Sequence, residues 1–325
     1  MITHNDLPRL AGCTPVCVMG AAVVDVIADA YSLPHRGSDI ELHQQGINVG
    51  GCALNVAIAL HRLGIEATNA LPVGKGIWAG IVAAKMAEYG ITSPVHTDKG
   101  DNGWCLALVE PDGERTFLSV SGVENQWDEA MLAQFVLPER SWIYLSGYQL
   151  TAASGERLVA WLEAQRGLHQ LLIDFGPRLA VISDNLFQRV MALKPLVTLN
   201  RQEAGLMSER LVGKGTAGSQ QLMADWREHF DSGLIVRMDS EGAGYVSADR
   251  SGWVPALTTT VVDTIGAGDS HAGGVLAGLA SGWTLGEAVM LGNAVASYVV
   301  AHRGGDCAPD RSELSVHWQR HITQQ

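Results

Sequence analysis

The sequence predicts an α/β fold: a central, mostly parallel β-sheet with helices on both faces, and a small β lid. Two observations lead to this class. Short β-branched runs alternate with longer helical patterns, and two stretches interrupt the alternation with strands alone. Parallel strands need long crossover connections, which are usually helices lying on the sheet. Ligands of such sheets bind at the carboxyl ends of the strands, so we expect the functional site there.

The alternation predicts strands and helices in two blocks. The first block has a strand, helix, strand and helix at residues 16–19, 52–63, 68–73 and 77–88. The second has strands and helices in turn at residues 142–145, 155–165, 171–174, 185–193 and 196–199. A further apolar helix is predicted over residues 293–300. This repetition of strand and helix indicates a parallel sheet built by crossovers.

The two interruptions lie at residues 23–43 and 104–121 and contain no helical pattern. The second carries the turn Pro111-Asp112-Gly113 between strands at 105–109 and 115–119. We expect one small antiparallel sheet, made from segments of about 23–47 and 101–122. Both segments leave and rejoin the core near predicted strand ends, so the pattern is compatible with a lid over the site and equally with a decoration at the edge.

Composition limits the classes of function. The 325 residues carry no low-complexity tract or Pro-rich linker, so we expect a single domain over residues 1–325. The 22 Lys and Arg against 34 Asp and Glu give a net charge of −12 without a basic cluster, which disfavours nucleic-acid and anionic-membrane partners. No apolar run approaches the roughly 18 residues of a membrane helix.

Cysteine usage indicates the cellular compartment. The five cysteines form no C-x-x-C pair, and their odd number predicts reduced, mostly buried thiols. Residues 1–10 show no apolar core and no cleavage signal. We therefore expect a cytoplasmic protein.

The segment with the most chemical information runs from residue 261 to 270. A strand end feeds a turn of small residues, Gly266 to Gly268, that opens a helix. Backbone N–H groups converge in such a turn, and the helix dipole adds positive charge, so the turn predicts an anion hole. Asp269 alone would be ordinary capping. Together with Asp263 and the glycines, it favours phosphoryl transfer to an alcohol, with Asp269 as the base and the amides of residues 265–268 as donors.

The same segment carries a resemblance to a known family. Asp263-Thr264-Ile265-Gly266-Ala267-Gly268-Asp269 resembles the signature of the ribokinase-like (PfkB-type) family of carbohydrate and nucleoside kinases. Three further pieces match in order, namely Gly50-Gly51 with Asn55, Asn200-Arg201-Gln202-Glu203, and Glu241-Gly242-Ala243-Gly244. The match spans about residues 16–309. It implies a three-layer α/β/α fold and ATP-dependent phosphorylation of a hydroxymethyl or other alcohol group, with Asp269, Gly266, Ala267 and Gly268 as catalytic residues.

The resemblance also implies an acceptor site. Asp25 follows the first strand, where the family binds substrate hydroxyls; a surface turn residue is the alternative. Gly50 and Gly51 let the backbone approach a ligand, and Asn55 lies one turn further on the same face. A buried Asn needs a partner, which is either a substrate hydroxyl or a structural group. Trp104 is a candidate wall of the pocket if the lid exists, and Asp174 and Arg178 are further candidates. Pentoses, hexoses and ribonucleosides fit these side chains alike.

The nucleotide site implied by the family contains ATP and Mg²⁺. The predicted cofactor-binding residues are Asn200, Glu203, Arg237, Gly242, Gly244, Thr264 and Asn293. Glu203 is expected to organise Mg²⁺ through water, although Asn200-x-x-Glu203 also reads as a capping box. Asp239 replaces the family's first glycine, and its charge would repel polyphosphate unless it is turned away; Arg237 could compensate for it or pair with it.

Potassium activation is a further hypothesis that the resemblance raises. Asp263 matches the acidic position near the family's monovalent-cation site. The chain has Ala308-Pro309 where the family's last ligand is usually a serine. This difference weakens the case for K⁺ as a cofactor.

Other functions were weighed against the kinase. Gly213-Lys214-Gly215-Thr216-Ala217-Gly218 fits a dinucleotide-binding pattern, but it follows a helical stretch and no strand, so a dehydrogenase is disfavoured. The Walker pattern is absent from the sequence, so an ATP site of the Walker type is disfavoured. A catalytically idle sugar- or nucleoside-sensing protein of the same fold is the main alternative, and a homodimer through the lid is the partner we expect besides a small-molecule substrate.

Overall fold

The structure of the protein is a computed structural model that describes residues 2–111, 114–212 and 218–322. Within these ranges the strands are β1 (Val16–Met19), β2 (Val23–Asp29), β3 (His43–Gly50), β4 (Ala67–Ala70), β5 (Trp104–Val109), β6 (Arg115–Val120), β7 (Trp142–Ser146), β8 (Gln170–Asp174), β9 (Leu196–Leu199), β10 (Leu234–Arg237), β11 (Ala243–Val246) and β12 (Ser251–Val254). The helices there are α1 (Cys52–Arg62), α2 (Ile77–Glu88), α3 (Glu129–Leu132), α4 (Gly147–Leu150), α5 (Gly155–Ala164), α6 (Asp184–Ala192), α7 (Arg201–Val212), α8 (Ser219–His229), α9 (Ala267–Ala280), α10 (Leu285–Val300) and α11 (Arg311–Ile322).

The larger sheet forms the centre of the fold. Among the described residues its strand order is β12-β11-β10-β9-β8-β7-β1-β4. All pairs from β10 to β4 are parallel, while β11 and β12 run antiparallel at one edge. The α/β class with a mostly parallel sheet is therefore confirmed, and the predicted bounds of β1, β9 and α2 are those of the structure.

Helices cover both faces of this sheet because alternate residues of each strand point to opposite sides. Val16 and Val18 of β1 join a core with α1, α9 and α10, whereas Cys17 and Met19 join a second core with α5, α6 and α8. All four of these β1 side chains are buried. The two cores confirm the predicted three layers.

The smaller sheet contains the two interrupting segments, in the order β3-β2-β5-β6. The expectation of a wholly antiparallel sheet is wrong: the central pair β2 and β5 is parallel, and only the outer pairs are antiparallel. Both segments enter the small sheet from the core, so their first strands run in the same direction. Asp112 and Gly113 of the predicted turn lie outside the described residues, as do residues 213–217 of the dinucleotide-like string.

The smaller sheet lies over the larger one as a lid. A cavity of about 500 Å³ separates them, with Asp25, Trp104 and Cys105 on the lid side and Gly51 and Gln149 on the core side. A decoration at the sheet's edge would enclose no such space. In the described part of the chain, no helix is both long and apolar enough to span a bilayer.

The base of the lid is tied to the core by the buried side chain of Asn102. Its Nδ2 donates to the carbonyls of Pro72 (2.9 Å) and Ala22 (3.2 Å), and its Oδ1 accepts from the Gly74 amide at 2.8 Å. These contacts join the segment before β5 to the segments that follow β1 and β4.

We predict that Asn102→Ala lowers the free energy of unfolding by about 2–4 kcal/mol, because three buried backbone groups lose their partner. Urea denaturation measures the change. Exposed Asn185 on α6 supplies the control, since Asn185→Ala should stay within about 0.5 kcal/mol of wild type. An Asn102→Ala protein as stable as the control would contradict this account of the lid's attachment.

Candidate active site

The turn into α9 needs small residues for steric reasons. Gly266 has a φ of 70°, in the left-handed region, and a Cβ there would lie 2.5 Å from the Gly305 Cα. A Cβ on Gly268 would lie 2.6 Å from Nη1 of Arg237. The turn therefore packs closely against the loop after α10 on one side and against a guanidinium on the other, and Ala267 begins the helix.

Asp263 holds this turn in place. Its Oδ1 accepts from the Ile265 amide and its Oδ2 from the Gly304 amide, each at 3.1 Å. The side chain of Thr264 is exposed, and its carbonyl accepts from the Ala267 amide at 3.3 Å. Asp263 thus connects the two loops whose backbones meet at Gly266.

Asp269 lies in the first turn of α9, in the wall of a cavity of about 170 Å³. Its Oδ2 accepts from Nδ2 of Asn55 at 2.8 Å, which places the predicted base and the predicted amide in direct contact. Burial raises the pKa of Asp269, and the charge of Asp174 raises it further. Hydrogen bonds from Asn55 and Cys52 and the charge of Arg237 act in the opposite direction.

Arg237 occupies the other wall of the same cavity. Its Nη2 lies 3.2 Å from Oδ2 of Asp174 and 3.8 Å from Oε2 of Glu203. Its Nε and Nη1 are buried and have no hydrogen-bond partner in the structure. Buried donors are normally satisfied, so these two unpartnered nitrogens of Arg237 are unusual.

The capping box predicted at the start of α7 is present. The Asn200 amide and Nδ2 each donate to Glu203, and the Glu203 amide donates to Oδ1 of Asn200, all at 2.8 Å. Glu203 also lines the 170 Å³ cavity. Burial and the nearby Asp174 raise its pKa. The capping role and the site role are therefore compatible in one side chain.

The Asp239 loop explains how an acidic residue replaces glycine. Asp239 takes a φ of 54°, the conformation a glycine would adopt readily. Its carboxylate accepts from Nε of Arg201 at 2.8 Å, and Arg201 also binds Glu241 at 2.6 Å. Of the alternatives left open for Arg237, pairing with Asp239 is not the one observed. The guanidinium of Arg201 pairs with the two carboxylates of the loop instead.

The glycines that follow are sterically required. Gly242 has a φ of 102°, and a Cβ there would lie 2.1 Å from the carbonyl oxygen of Val254. A Cβ on Gly244 would lie 2.5 Å from Sδ of Met223. Both close approaches are made to the protein's own neighbouring elements.

Asn293 lies on α10 and is fully engaged in protein contacts. Its Nδ2 donates to the carbonyls of Val254 and Pro255, each at 3.1 Å, and its Oδ1 lies 3.1 Å from Nε2 of His271. Burial lowers the pKa of His271 to about 3, so its ring is neutral and Nε2 donates to Asn293. Asn293 thereby ties β12 and the following residues to α9 and α10.

The acceptor residues predicted from the sequence meet at the lid. Asp25 lines both the 500 Å³ cavity and a smaller one of about 180 Å³, where Gly50, Gly51 and Asn55 also lie. A Cβ on Gly51, whose φ is 114°, would lie 2.5 Å from the Ala21 carbonyl oxygen. Trp104 stacks on Trp78 with 5.2 Å between ring centroids and lines the larger cavity.

Arg178 and Asp174, the two further candidates for the acceptor site, line different cavities. Arg178 lines the 500 Å³ cavity, with its guanidinium 4.8 Å from the ring centroid of Tyr148. Asp174 lines instead the 170 Å³ cavity, where it contacts Arg237. The strand-end rule found both residues, but only the fold decides which cavity each one faces.

Several residues at these cavities escaped sequence reasoning. Cys52 lies beside Asp269, Cys105 beside Asp25, and Asp306 in the 180 Å³ cavity. Asp306 also accepts a hydrogen bond from the Tyr89 hydroxyl. A signal existed for Cys52, which directly follows Gly50-Gly51, whereas Cys105 could be found only from the pairing of β2 with β5.

We predict that Asp269→Asn raises the melting temperature of the ligand-free protein by about 1–3 °C at pH 8 and by less at pH 5. A carboxyl whose folded-state pKa is raised destabilises the fold once the pH exceeds its unfolded pKa, and this penalty is complete above the folded pKa. Differential scanning calorimetry at both pH values measures it. Asp263→Asn is the control: it should lower the melting temperature, because an amide cannot accept both backbone bonds.

Comparison with known proteins agrees with this geometry. The family model described as "pfkB family carbohydrate kinase" matches residues 14–311. The chain is 60% identical over 311 residues to "Uncharacterized sugar kinase YegV" of Escherichia coli (strain K12), covering 96% of each protein. It is 27% identical over 290 residues to the 1-phosphofructokinase of the same strain, covering 86% of this chain and 89% of the relative.

A solved structure agrees as well. The ribokinase of Thermotoga maritima superposes with a TM-score of 0.77 at 19% identity, covering 94% of this chain and 99% of that one. The ribokinase-like fold implied by the sequence is thus confirmed. The chain belongs to the pfkB family of carbohydrate kinases.

Proposed function

We propose that the protein transfers the γ-phosphoryl group of ATP to a hydroxymethyl or other alcohol group of a small sugar or nucleoside. One observation carries this proposal: Asp269, the glycines Gly266 and Gly268 of the turn, and Arg237 line one cavity of about 170 Å³. The family supplies the kinase class, and this arrangement supplies the roles. A base, an anion hole and a cation lie within one small space, as phosphoryl transfer to a hydroxyl requires.

Asp269 acts as the general base in this scheme. The acceptor hydroxyl donates to the carboxylate and loses its proton as the phosphorus–oxygen bond forms. Burial and Asp174 raise the pKa of Asp269, which makes it a stronger base than an exposed carboxylate. Asn55 fixes the orientation of Asp269 through its 2.8 Å bond, and the thiol of Cys52 also donates to this carboxylate.

The turn and Arg237 stabilise the transferring phosphoryl group. Gly266 and Gly268 lie at the N-terminal end of a 14-residue helix, where the helix dipole favours an anion, while the amides of Ile265 and Ala267 donate to Asp263 and to the Thr264 carbonyl. Arg237 adds a fixed positive charge in the wall of the cavity. Fixed donors of this kind stabilise charge at the moment of transfer without having to reorient.

The carboxylates of this cavity fit a divalent cation. Asp174, Glu203 and Asp269 surround one guanidinium, so three negative charges face one positive charge. Among the described residues, no group of three or more His, Cys, Asp or Glu side chains is arranged to hold a metal directly. Mg²⁺ usually keeps several waters and binds through few carboxylates plus phosphates, so Glu203 would hold it through water. When bound, Mg²⁺ would neutralise phosphate charge.

The nucleotide would occupy the space beside β10 and β11. Gly242 and Gly244 shape that loop, Thr264 presents an exposed hydroxyl, and Asn200 and Asn293 hold the neighbouring elements.

Asp263 is the candidate for a monovalent cation. Its two oxygens each accept one backbone N–H and retain lone pairs, so K⁺ stays a proposal at this position.

The acceptor would bind between lid and core. Asp25 and Asn55 offer hydrogen-bonding groups, Gly50 and Gly51 allow the backbone to approach, and Trp104 supplies an apolar wall.

A panel of D-ribose, D-fructose, D-glucose and adenosine, each with ATP and Mg²⁺, tests the proposal by measuring phosphorylated product. A ligand at 100 times its Kd adds about 2.7 kcal/mol of stability, so melting shifts with an ATP analogue identify binders as well.

A sensing protein that binds without turnover is the competing function. It would show melting shifts with panel members but no product. The pairing of Asp269 with Asn55 and the carboxylates around Arg237 favour the enzyme, since sensing needs neither a base nor a metal organiser.

We predict that Asp269→Asn lowers kcat by about 10²–10⁴-fold, because the acceptor hydroxyl loses its base, while the KM for ATP changes little. Steady-state kinetics with the best panel acceptor measure both constants. Asp184→Asn, at an exposed position on α6, should leave kcat unchanged. An Asp269→Asn enzyme with the kcat of wild type would refute the proposed mechanism.

We also propose a homodimer through the lid, with the reaction taking place in the cytoplasm. Pairing of the strands puts Ile47, Val26, Leu106 and Leu118 in one row on the face opposite Asp25. Ile47 is 46% exposed and Leu118 is 51% exposed, which is unusual for a row of apolar strand residues. All five cysteines are free thiols, in keeping with a reducing compartment.

We predict that Leu118→Lys converts the dimer to a monomer, because a charge placed in an apolar interface loses its solvation. Light scattering coupled to gel filtration measures the mass. Thr116→Lys is the comparison variant. It adds a charge near the edge of the row, at a partly buried position two residues along the same strand. A wild-type protein of monomeric mass at micromolar concentration would overturn the proposal.

A further inference from the structure

The thiol of Cys105 contacts the carboxylate that the acceptor site depends on. Asp25 on β2 and Cys105 on β5 are direct partners in the parallel pair, so both side chains project on the same face of the lid. Sγ of Cys105 donates to Oδ1 of Asp25 at 2.8 Å. Both residues line the 500 Å³ cavity.

This contact makes the two oxygens of Asp25 unequal. Oδ1 is engaged by the thiol, whereas Oδ2 lies beside Gly50, where a Cβ would be only 3.0 Å away. Since Gly50 has no side chain, Oδ2 stays open toward the 180 Å³ cavity that also contains Asn55 and Asp306. The backbone of β3 and the thiol of β5 thus leave one oxygen of Asp25 for a ligand.

We propose that Cys105 is a positioning residue for the acceptor: its thiol holds Oδ1 of Asp25 so that Oδ2 is presented to one acceptor hydroxyl. The inference rests on the proposed function, in which Asp25 binds that hydroxyl. A thiol is suited to this task because it donates one hydrogen bond and is itself a weak acceptor, so it does not compete for the hydroxyl.

The protonation states agree with this direction of donation. Burial and the neighbouring Asp25 raise the pKa of Cys105 to about 12, so the thiol keeps its proton. Burial raises the pKa of Asp25, and the thiol's hydrogen bond lowers it. Removal of the thiol should therefore raise the pKa of Asp25.

Other titratable groups also face Asp25. Among the described residues, those that line its two cavities are Cys52, Cys105, Glu124, Tyr148, Arg178 and Asp306. Both oxygens of Glu124 accept backbone amides, from Gly103 and Gly122 at 2.8 Å, and burial raises its pKa. In the described structure, only Cys105 is hydrogen-bonded to Asp25. Replacing Cys105 by a residue without a donor therefore changes the hydrogen bonding of Asp25 specifically.

The test compares Cys105→Ala, Cys105→Val, Cys105→Ser and Asp25→Asn in the full-length protein. Alanine removes the donor, valine removes it while filling the space, and serine restores a donor. Cys13→Ala, at an exposed cysteine, is the control for loss of a thiol. Kinetics use the panel acceptor with the highest kcat/KM, and infrared spectroscopy of the S–H stretch reports the hydrogen bond in the absence of any acceptor.

We expect Cys105→Ala and Cys105→Val to raise the KM for the acceptor about three- to tenfold, with kcat and the KM for ATP within about twofold of wild type. The acid limb of kcat/KM should move to higher pH, because Asp25 must be ionised to accept the hydroxyl and its pKa has risen. Cys105→Ser should restore most of the affinity. In wild type, the S–H stretch of Cys105 should lie at the low frequency of a charged hydrogen bond and move upward in Asp25→Asn.

Failure of this inference can be separated from failure of the proposed function. If Asp25→Asn leaves the acceptor KM unchanged, or if no panel member is phosphorylated, the role of Asp25 in the proposed function is overturned. If Asp25→Asn raises that KM at least tenfold but Cys105→Val does not change it, only the role of Cys105 is overturned. The role of Cys105 is also overturned if the S–H stretch has the same frequency in wild type and in Asp25→Asn. It is overturned as well if Cys105→Val changes kcat and both KM values but does not shift the acid limb of kcat/KM.

Discussion

The close contact between the turn into α9 and the loop after α10 sets the geometry of the whole site. Gly266 and Gly305 meet backbone to backbone, with no room for a Cβ at Gly266, and Asp263 connects both loops through two amides. This contact fixes where α9 begins. It therefore fixes where the helix dipole points and where Asp269 projects. A bulkier turn would move Asp269 and the glycines of the turn together.

Charge balance around Arg237 is the second constraint, and it depends on the first. The guanidinium lies against Gly268, so only a glycine at that position lets it reach the cavity. Asp174 and Glu203 hold one edge of the guanidinium, which leaves Nε and Nη1 without partners. An unsatisfied buried donor costs free energy, so this arrangement of Arg237 lowers the stability of the fold.

The sequence predicted most of the core and of the catalytic turn, because both depend on local signals. The bounds of β1, α2 and β9 follow from β-branched and helical periodicity. The glycine turn before Asp269 can be recognised from its run of small residues. Sequence reasoning failed where partners come from distant strands. The partner of Asp239 was left open between a pairing with Arg237 and a side chain turned away, and Arg201 binds it; the β2–β5 pair was expected to be antiparallel and is parallel. Neither outcome is encoded in neighbouring residues.

The acceptor site shows why such non-local pairing matters for specificity. Asp25 alone predicts only that hydroxyls are bound, which fits a pentose, a hexose or a nucleoside. Its pairing with Cys105 in a parallel register reduces the free acceptor oxygens on this carboxylate from two to one. The lid strands also determine the distance from that oxygen to Asn55 and hence to Asp269. In the proposed acceptor site, substrate choice would therefore depend on the register between the lid strands: a change of register by one residue would replace the thiol with an apolar side chain and remove the constraint on Asp25.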